Sequence, residues 1–364
     1  MEITHVATRL GAPLDAVLTI DDLDILEVSG GLVLLATSRA SSMVTTYAVG
    51  AGGTSFETVT EVPELARMLG GAAFEQLTVD GSQVFFATRG SGDSIAAYEL
   101  TGSGLTDSGT LEGAHLDRSL TAFAEIAIGG ELFIYTGNLG EPGVGCYRMT
   151  SGGTLENFRD PSATMPDGSR DISDLMTVQV GSSSFLLTTS ASSHQLSCYA
   201  ISDQGGLEFR GSLGAAQGLY VSAPEAMASV TVSGESYVFL ASSLSSSLTV
   251  LRIEEDGALY QTDHLVDDLF SRFQGVQSIA AVEADGRAYV LAGGADGGLS
   301  LFQLLPHGEL LMLDVQEDLT SMSLGQVAAL EMRVIGDSLH IFAGSSNEAG
   351  VSHLTVTLPD VGVE

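Results

Sequence analysis

The chain has no lysine, no tryptophan, two cysteines and eight prolines among 364 residues. Each shortage excludes something. All 13 basic residues are arginines, set against 46 acids, for a net charge of −33. A surface of that sign repels phosphate backbones and anionic lipid, so nucleic acid and membranes are not expected as partners. It suits cations, cationic partners, or solubility alone. No apolar run approaches the roughly 18 residues of a membrane-spanning helix. The opening MEITHVATRL has neither a basic nor an apolar signal region. Cytoplasm is therefore the default expectation. The alternative is export without an N-terminal signal, as part of a larger secreted protein. Cys146 and Cys198 stand just before equivalent tyrosines. In adjacent radial units such positions are too far apart for a disulfide, so both should be buried free thiols. No CxxC or Cys/His metal pattern occurs.

What is present is a period. The anchors Tyr47, Tyr98, Tyr147, Tyr199, Leu251, Phe302 and Leu354 follow one another at spacings of 51, 49, 52, 52, 51 and 52. A period near 50 signals a repeat architecture. The second repeat shows the unit. Phe74–Val79 alternates apolar and polar residues, and Asp80-Gly81 is a hairpin turn signal. Val84–Thr88 is a continuous apolar strand, and Ile95–Leu100 is a third. Leu105–Gly113 is a more polar fourth strand at the edge. Four antiparallel strands per unit, inner to outer, describe a propeller blade.

The expected fold is all-β: one domain spanning 1–364, a seven-bladed propeller with blades starting near 24, 75, 125, 174, 225, 277 and 326. The last repeat has three strands only. The missing fourth strand is expected at residues 3–10, where ITHVATRLG reads like LEFRGSLG at 207–214. Pairing of that N-terminal strand with the C-terminal blade would close the ring and remove its open edges. An open solenoid would need polar capping units, and none is apparent.

The segment VFFATRGSGDSIAAYELTGSGLTDSGTLEG at 84–113 resembles a blade of the seven-bladed lactonase group with YVTN-type repeats. Ile134-Tyr135-Thr136-Gly137-Asn138 is similar to the Tyr-Val-Thr-Asn signature. Asp285-Gly286-Arg287 is similar to that group's Asp-Gly-Arg turn. The resemblance implies hydrolysis of an intramolecular sugar ester, 6-phosphogluconolactonase-like, by charged residues on one rim. Arg89 stands at the group's Arg-Gly position. The group's Pro-Arg-His entry and His-Pro-Asp-Gly turn do not occur in this sequence.

Propeller sites lie where inner strands and connecting loops converge, so the residues entering each inner strand are the candidates. They are Asp24, Glu75, Glu125, Asp174, Glu225, Gln277 and Gln326. Together they could form a ring of five carboxylates and two amides able to hold a hard cation such as Ca²⁺, with Glu75 and Glu125 as metal ligands. The competing reading is a solvated acidic rim. Crowded carboxylates would also raise one another's pKa values and could supply an acid or base. Arg89 could clamp a carboxylate or phosphate, or pair with Asp93 in its own loop. The seven histidines share no repeat position, and His340 and His353 are expected to be strand residues, packed or exposed, rather than catalysts. No cofactor is marked with certainty, and Ca²⁺ is the one candidate. The leading expectation is a non-catalytic module that binds a small molecule, cation or protein segment at one rim. The alternative is the lactonase-like hydrolase.

Overall fold

A computed structural model describes residues 1–10, 14–28, 31–38, 40–50, 53–62, 75–79, 82–88, 94–101, 104–112, 120–138, 143–150, 155–158 and 171–359. The chain is all-β. Its strands assemble into four-stranded antiparallel sheets, each in the order of a propeller blade.

Two compact units divide these sheets. The first comprises Met1–Glu61, Ala228–Arg252 and Gln261–Glu364; the second comprises Val62–Met227 and Ile253–Tyr260. Strand β1 is Thr4–Arg9, and a 3-10 turn follows at Leu14–Val17. The first unit's sheets include β2 (Asp22–Val28), β3 (Gly31–Ser38), β4 (Met43–Gly50) and β5 (Gly53–Glu61). The second unit holds β6 (Glu75–Val79), β7 (Ser82–Thr88), β8 (Ser94–Thr101) and β9 (Gly104–Glu112). Its next sheet is β10 (Leu120–Ile128), β11 (Glu131–Asn138), β12 (Gly145–Met149) and β13 (Leu155–Asn157). Its third is β14 (Ile172–Val180), β15 (Ser183–Ser190), β16 (Gln195–Ile201) and β17 (Leu207–Leu213). The residues of β18 (Pro224–Val232), β19 (Glu235–Ser242), β20 (Ser247–Ile253) and β21 (Leu259–Val266) are shared between the units. The first unit resumes with β22 (Ser278–Ala284), β23 (Arg287–Gly293), β24 (Gly298–Leu304) and β25 (Leu310–Glu317). It ends with β26 (Val327–Ile335), β27 (Ser338–Ser345) and β28 (Val351–Thr357), ordered β1-β28-β27-β26. Against the expectation of seven blades, six lie whole within a unit. The strands of β18–β21 fall partly in each.

The anchors explain the repeat. Tyr47, Tyr147, Tyr199, Leu251, Phe302 and Leu354 are all at most 1% exposed. In its own sheet each paired anchor faces an apolar residue of the second strand: Tyr47 opposite Leu34, Tyr147 opposite Ile134, Tyr199 opposite Leu186, Leu354 opposite Ile341. Second strands are buried almost throughout, which is why they read as unbroken apolar runs. At the Asp285-Gly286 hairpin both central residues have positive φ, 51° and 74°, as a tight primed turn demands. Cys146 and Cys198 are buried and unbridged, as expected.

The N-terminal strand pairs with the C-terminal one: Thr4 faces Thr355 and Arg9 faces Val351. It reproduces the detail of an outer strand. In β16–β17 the register slips between Cys198 and Tyr199, just before the anchor. In β1–β28 the slip falls between His5 and Ala7, opposite Leu354 and His353, again at the anchor. A carboxylate device is repeated too. Asp263 of β21 accepts the Leu310 N–H at the start of β25 at 2.8 Å, and Asp314 of β25 accepts the Ile3 N–H before β1 at 2.6 Å.

Candidate functional site

Register within each sheet shows where the candidate acids stand. Asp24 faces Leu35, one step before the pair leading through Leu34 to Tyr47. Glu75 faces Phe86, likewise one step before the pair leading to Tyr98. Glu125 faces Ile134, in line with Tyr147, so it stands one step further on. One step turns a strand side chain to the other face of its sheet. Asp174 faces Thr189, three steps before the level of Tyr199, beside a register slip at Ile172/Asp174. Glu225 is the second residue of β18. Gln277 and Gln326 precede their strands, and the Gln326 amide donates to Gln277 Oε1 at 3.5 Å. The seven positions therefore do not share one level. Bulges near the entries of β10, β14 and β26 shift them. Arg89, Asp93 and the Glu75 side chain lie outside the described residues. Among the described residues no three His, Cys, Asp or Glu side chains group as a metal site.

Asp174 is a structural clamp. Its carboxylate accepts the Leu175 N–H at 2.8 Å and the Met227 N–H at 2.7 Å. Burial nevertheless pushes its pKa up to about 7, and the two N–H donors hold it back. Glu125 uses its backbone, whose carbonyl accepts the Thr177 hydroxyl at 2.8 Å.

Asp24 has a partner that the spacing of strand entries does not reveal. Glu331 faces Phe342, one step before the level of Leu354, so it occupies Asp24's register in the last sheet. Both lie on the first strands of their sheets, β2 and β26. Burial pushes Asp24 up to about 6. Burial first, and the charges of Asp24 and Asp22 second, push Glu331 up to about 8. Arg333 draws Glu331 down only weakly, and it reaches Glu27 at 3.9 Å in an exposed pair. With such values Glu331 is largely protonated and Asp24 largely ionised near neutral pH. The pair can both donate and accept a hydrogen bond. The signal for Glu331 is its distance to the anchor. Asp24, Glu75 and Glu331 each stand 23 residues before Tyr47, Tyr98 and Leu354.

His340 and His353 are packed away from solvent. His353 and His340 are 1% and 2% exposed and bond ring to ring, Nε2 to Nδ1, at 3.0 Å. His353 stacks on Phe342 at 4.6 Å between centroids. His194 accepts the Ala223 N–H at 3.0 Å through Nδ1.

No protein-family model matches the chain, and no curated protein matches it. Solved structures do. A Bacteroides fragilis protein described as a candidate 6-phosphogluconolactonase is 15% identical; the match covers 92% of this chain and 97% of that one, with a TM-score of 0.57. A Bacteroides uniformis protein with the same description is 15% identical, covering 93% and 97%, with a TM-score of 0.53. A Desulfotomaculum acetoxidans protein of unknown function is 13% identical, covering 90% and 99%, with a TM-score of 0.56. Identities this low carry the fold alone: the chain has a β-propeller fold similar to theirs.

Proposed function

We propose that the chain is a ligand-binding propeller module that takes a small hydroxyl- or amine-bearing molecule at Asp24 and Glu331. The seven four-stranded sheet orders support a seven-bladed ring in one domain, with β1 as its closing strand. The observation that carries the binding reading is the pair itself: two carboxyls on neighbouring first strands, held near neutral pKa by burial. A half-protonated pair donates to one hydroxyl and accepts from another, as a polyol offers. The ionised form suits an ammonium. An anionic sugar phosphate meets a chain of charge −33 and is disfavoured. A protein segment or a hard cation at the same rim remains within this binding class.

The second reading is a lactonase-like hydrolase. The descriptions of two structural neighbours support it, as do carboxyls near pKa 6 and 8, within the range of a general acid or base.

One experiment separates the readings. Thermal unfolding is followed with neutral sugars, sugar amines, sugar lactones and Ca²⁺, the last with an EDTA control, and acid release from the lactones is titrated in parallel. A ligand that binds only the folded state raises the midpoint by mass action. The expected result is a rise with a neutral polyol or amine, abolished by Glu331→Gln and by Asp24→Asn, with no acid released. Lactone hydrolysis lost in both variants would instead establish the hydrolase. A rise with Ca²⁺ alone would move the site to the acidic rim.

A further inference from the structure

We infer that one loop edge of the first unit is a docking surface for a cationic amphipathic segment of a partner protein. Four large apolar side chains stand out from it: Leu244 is 76% exposed, Leu269 89%, Phe270 75% and Leu319 53%. They occur on three turns, between β19 and β20, between β21 and β22, and between β25 and β26. Isolated exposed leucines are ordinary, but these are not isolated.

Backbone hydrogen bonds tie the turns into one continuous edge. The Asp267 N–H donates to the Ser246 carbonyl at 2.9 Å, and the Gly275 N–H donates to the Ser246 hydroxyl at 3.0 Å. The Ala295 N–H donates to Gln274, the Asp318 N–H to Gly297 and the Gly298 N–H to Leu324, all through carbonyls. Leu244, Leu269, Phe270 and Leu319 thus belong to a single hydrogen-bonded rim.

The turn that carries Leu269 and Phe270 is built to hold them outward. Asp268 Oδ1 accepts the Phe270 N–H at 2.8 Å, and the Asp268 N–H donates to the Ser271 hydroxyl at 2.9 Å. Asp267 Oδ1 accepts both the Ser271 hydroxyl at 2.7 Å and the Phe273 N–H at 3.0 Å. Phe273, next along, is 1% exposed and packs edge-on against Phe302 at 6.0 Å. Water meets two large apolar side chains on a rigid turn whose next aromatic is anchored in the core. An accidental exposure on a flexible loop would need none of this.

Charge selects the occupant. Asp267, Asp268 and Asp318 stand on these turns, Glu317 ends β25 and Asp296 stands on the β23–β24 turn of the same edge, and the neighbouring Arg272 is engaged with Glu317 at 2.6 Å. A second copy of this chain would bring the same acids to the same place and be repelled. A segment with apolar residues on one face and Arg or Lys on the other matches both the leucines and the acids.

The test uses the full chain and a synthetic helix-forming peptide of about 18 residues, roughly five turns, patterned with Leu on one face and Lys on the other. A Ser/Lys peptide of equal charge and a Leu/Glu peptide of equal hydrophobicity are the controls. Calorimetry is expected to show the Leu/Lys peptide binding at least about tenfold more tightly than either control, with affinity falling as salt is raised. The double variant Leu269→Ser/Phe270→Ser should lose at least about tenfold in affinity, while Leu311→Ser, exposed on β25, should lose nothing. Unchanged melting of the double variant confirms that the loss is one of docking. Equal binding of the Ser/Lys peptide, or full affinity in the double variant, would reduce the effect to bare charge attraction and overturn the inference. Self-association of the wild type that the double variant abolishes would also overturn it, in favour of a second copy.

Discussion

Glu331 and His353 pull stability in opposite directions as pH changes. An ordinary glutamate titrates near 4.3, whereas burial raises Glu331 in the folded chain to about 8. Between those values the folded state keeps a proton that the unfolded state releases, so stability falls as pH rises through the window and the loss is complete above about 8. Asp24 and Asp174 act the same way, up to about 6 and about 7. His353 is depressed to about 4 by burial, then by His340, Arg9 and His5. Below about 6.5 the unfolded histidine takes a proton that the folded one refuses, so stability is lost as pH falls towards 4. From about pH 5 upward the three raised carboxyls outweigh the one depressed histidine, so the melting temperature should fall as pH rises towards about 8. Glu331→Gln should flatten the alkaline side, removing roughly one proton from the linkage between about pH 6.5 and 8. Differential scanning calorimetry across pH reads this directly, and an unchanged alkaline slope would show that Glu331 is ionised in the folded chain. The sequence contains the signal for this residue, in its distance of 23 to Leu354. It is invisible when acids are counted from one strand entry to the next, because bulges at Ile172/Asp174 and Val327/Ala329 change the residue count without changing the blade.

The N-terminal strand is the element whose place was most legible. ITHVATRLG aligns with β17, and the structure pairs it with β28 with the register slip at the same point relative to the anchor. What the alignment does not show is how the strand is held. Asp314 accepts the Ile3 N–H, as Asp263 accepts the Leu310 N–H in the preceding pair of outer strands. A carboxylate bonded to a partly buried N–H contributes about 1.5–3 kcal/mol. Asp314→Ala should therefore lower stability by about that much and speed amide exchange along Thr4–Arg9 more than elsewhere. Asp263→Ala should cost a similar amount but leave exchange in β1 unchanged. If Asp314→Ala leaves β1 protected, the strand is held by its backbone pairing alone. Such a device is hard to read in advance. One aspartate among 46 acids carries no mark until the chain end is seen beside it.

At the scale of the whole molecule, charge and fold are nearly independent. The anchors and second strands that build the blades are apolar, whereas the excess acid decorates the rest. Described arginines are largely spent on exposed pairs, such as Arg148 with Glu156 at 2.9 Å and Arg252 with Glu235 at 3.3 Å. Exposed pairs of this kind contribute little, at most about 1 kcal/mol each. They do not offset the repulsion of a net −33. Sequence alone therefore reads the solvated acidic surface easily, but not which acids are withdrawn from it, because burial is set by register and not by composition. Salt separates the two populations. Raising NaCl from about 0.02 M to about 0.5 M shortens the screening length severalfold and weakens repulsion among exposed acids, but hardly touches Asp24 and Glu331. The melting temperature should rise by several degrees, with most of the gain below about 0.2 M, and choline chloride should do as well as NaCl. The pH at which Glu331 titrates should stay where it was. A melting temperature indifferent to salt would mean that the acids are already compensated. A response to Ca²⁺ at millimolar levels that choline cannot reproduce would mean that some of them converge on a cation after all.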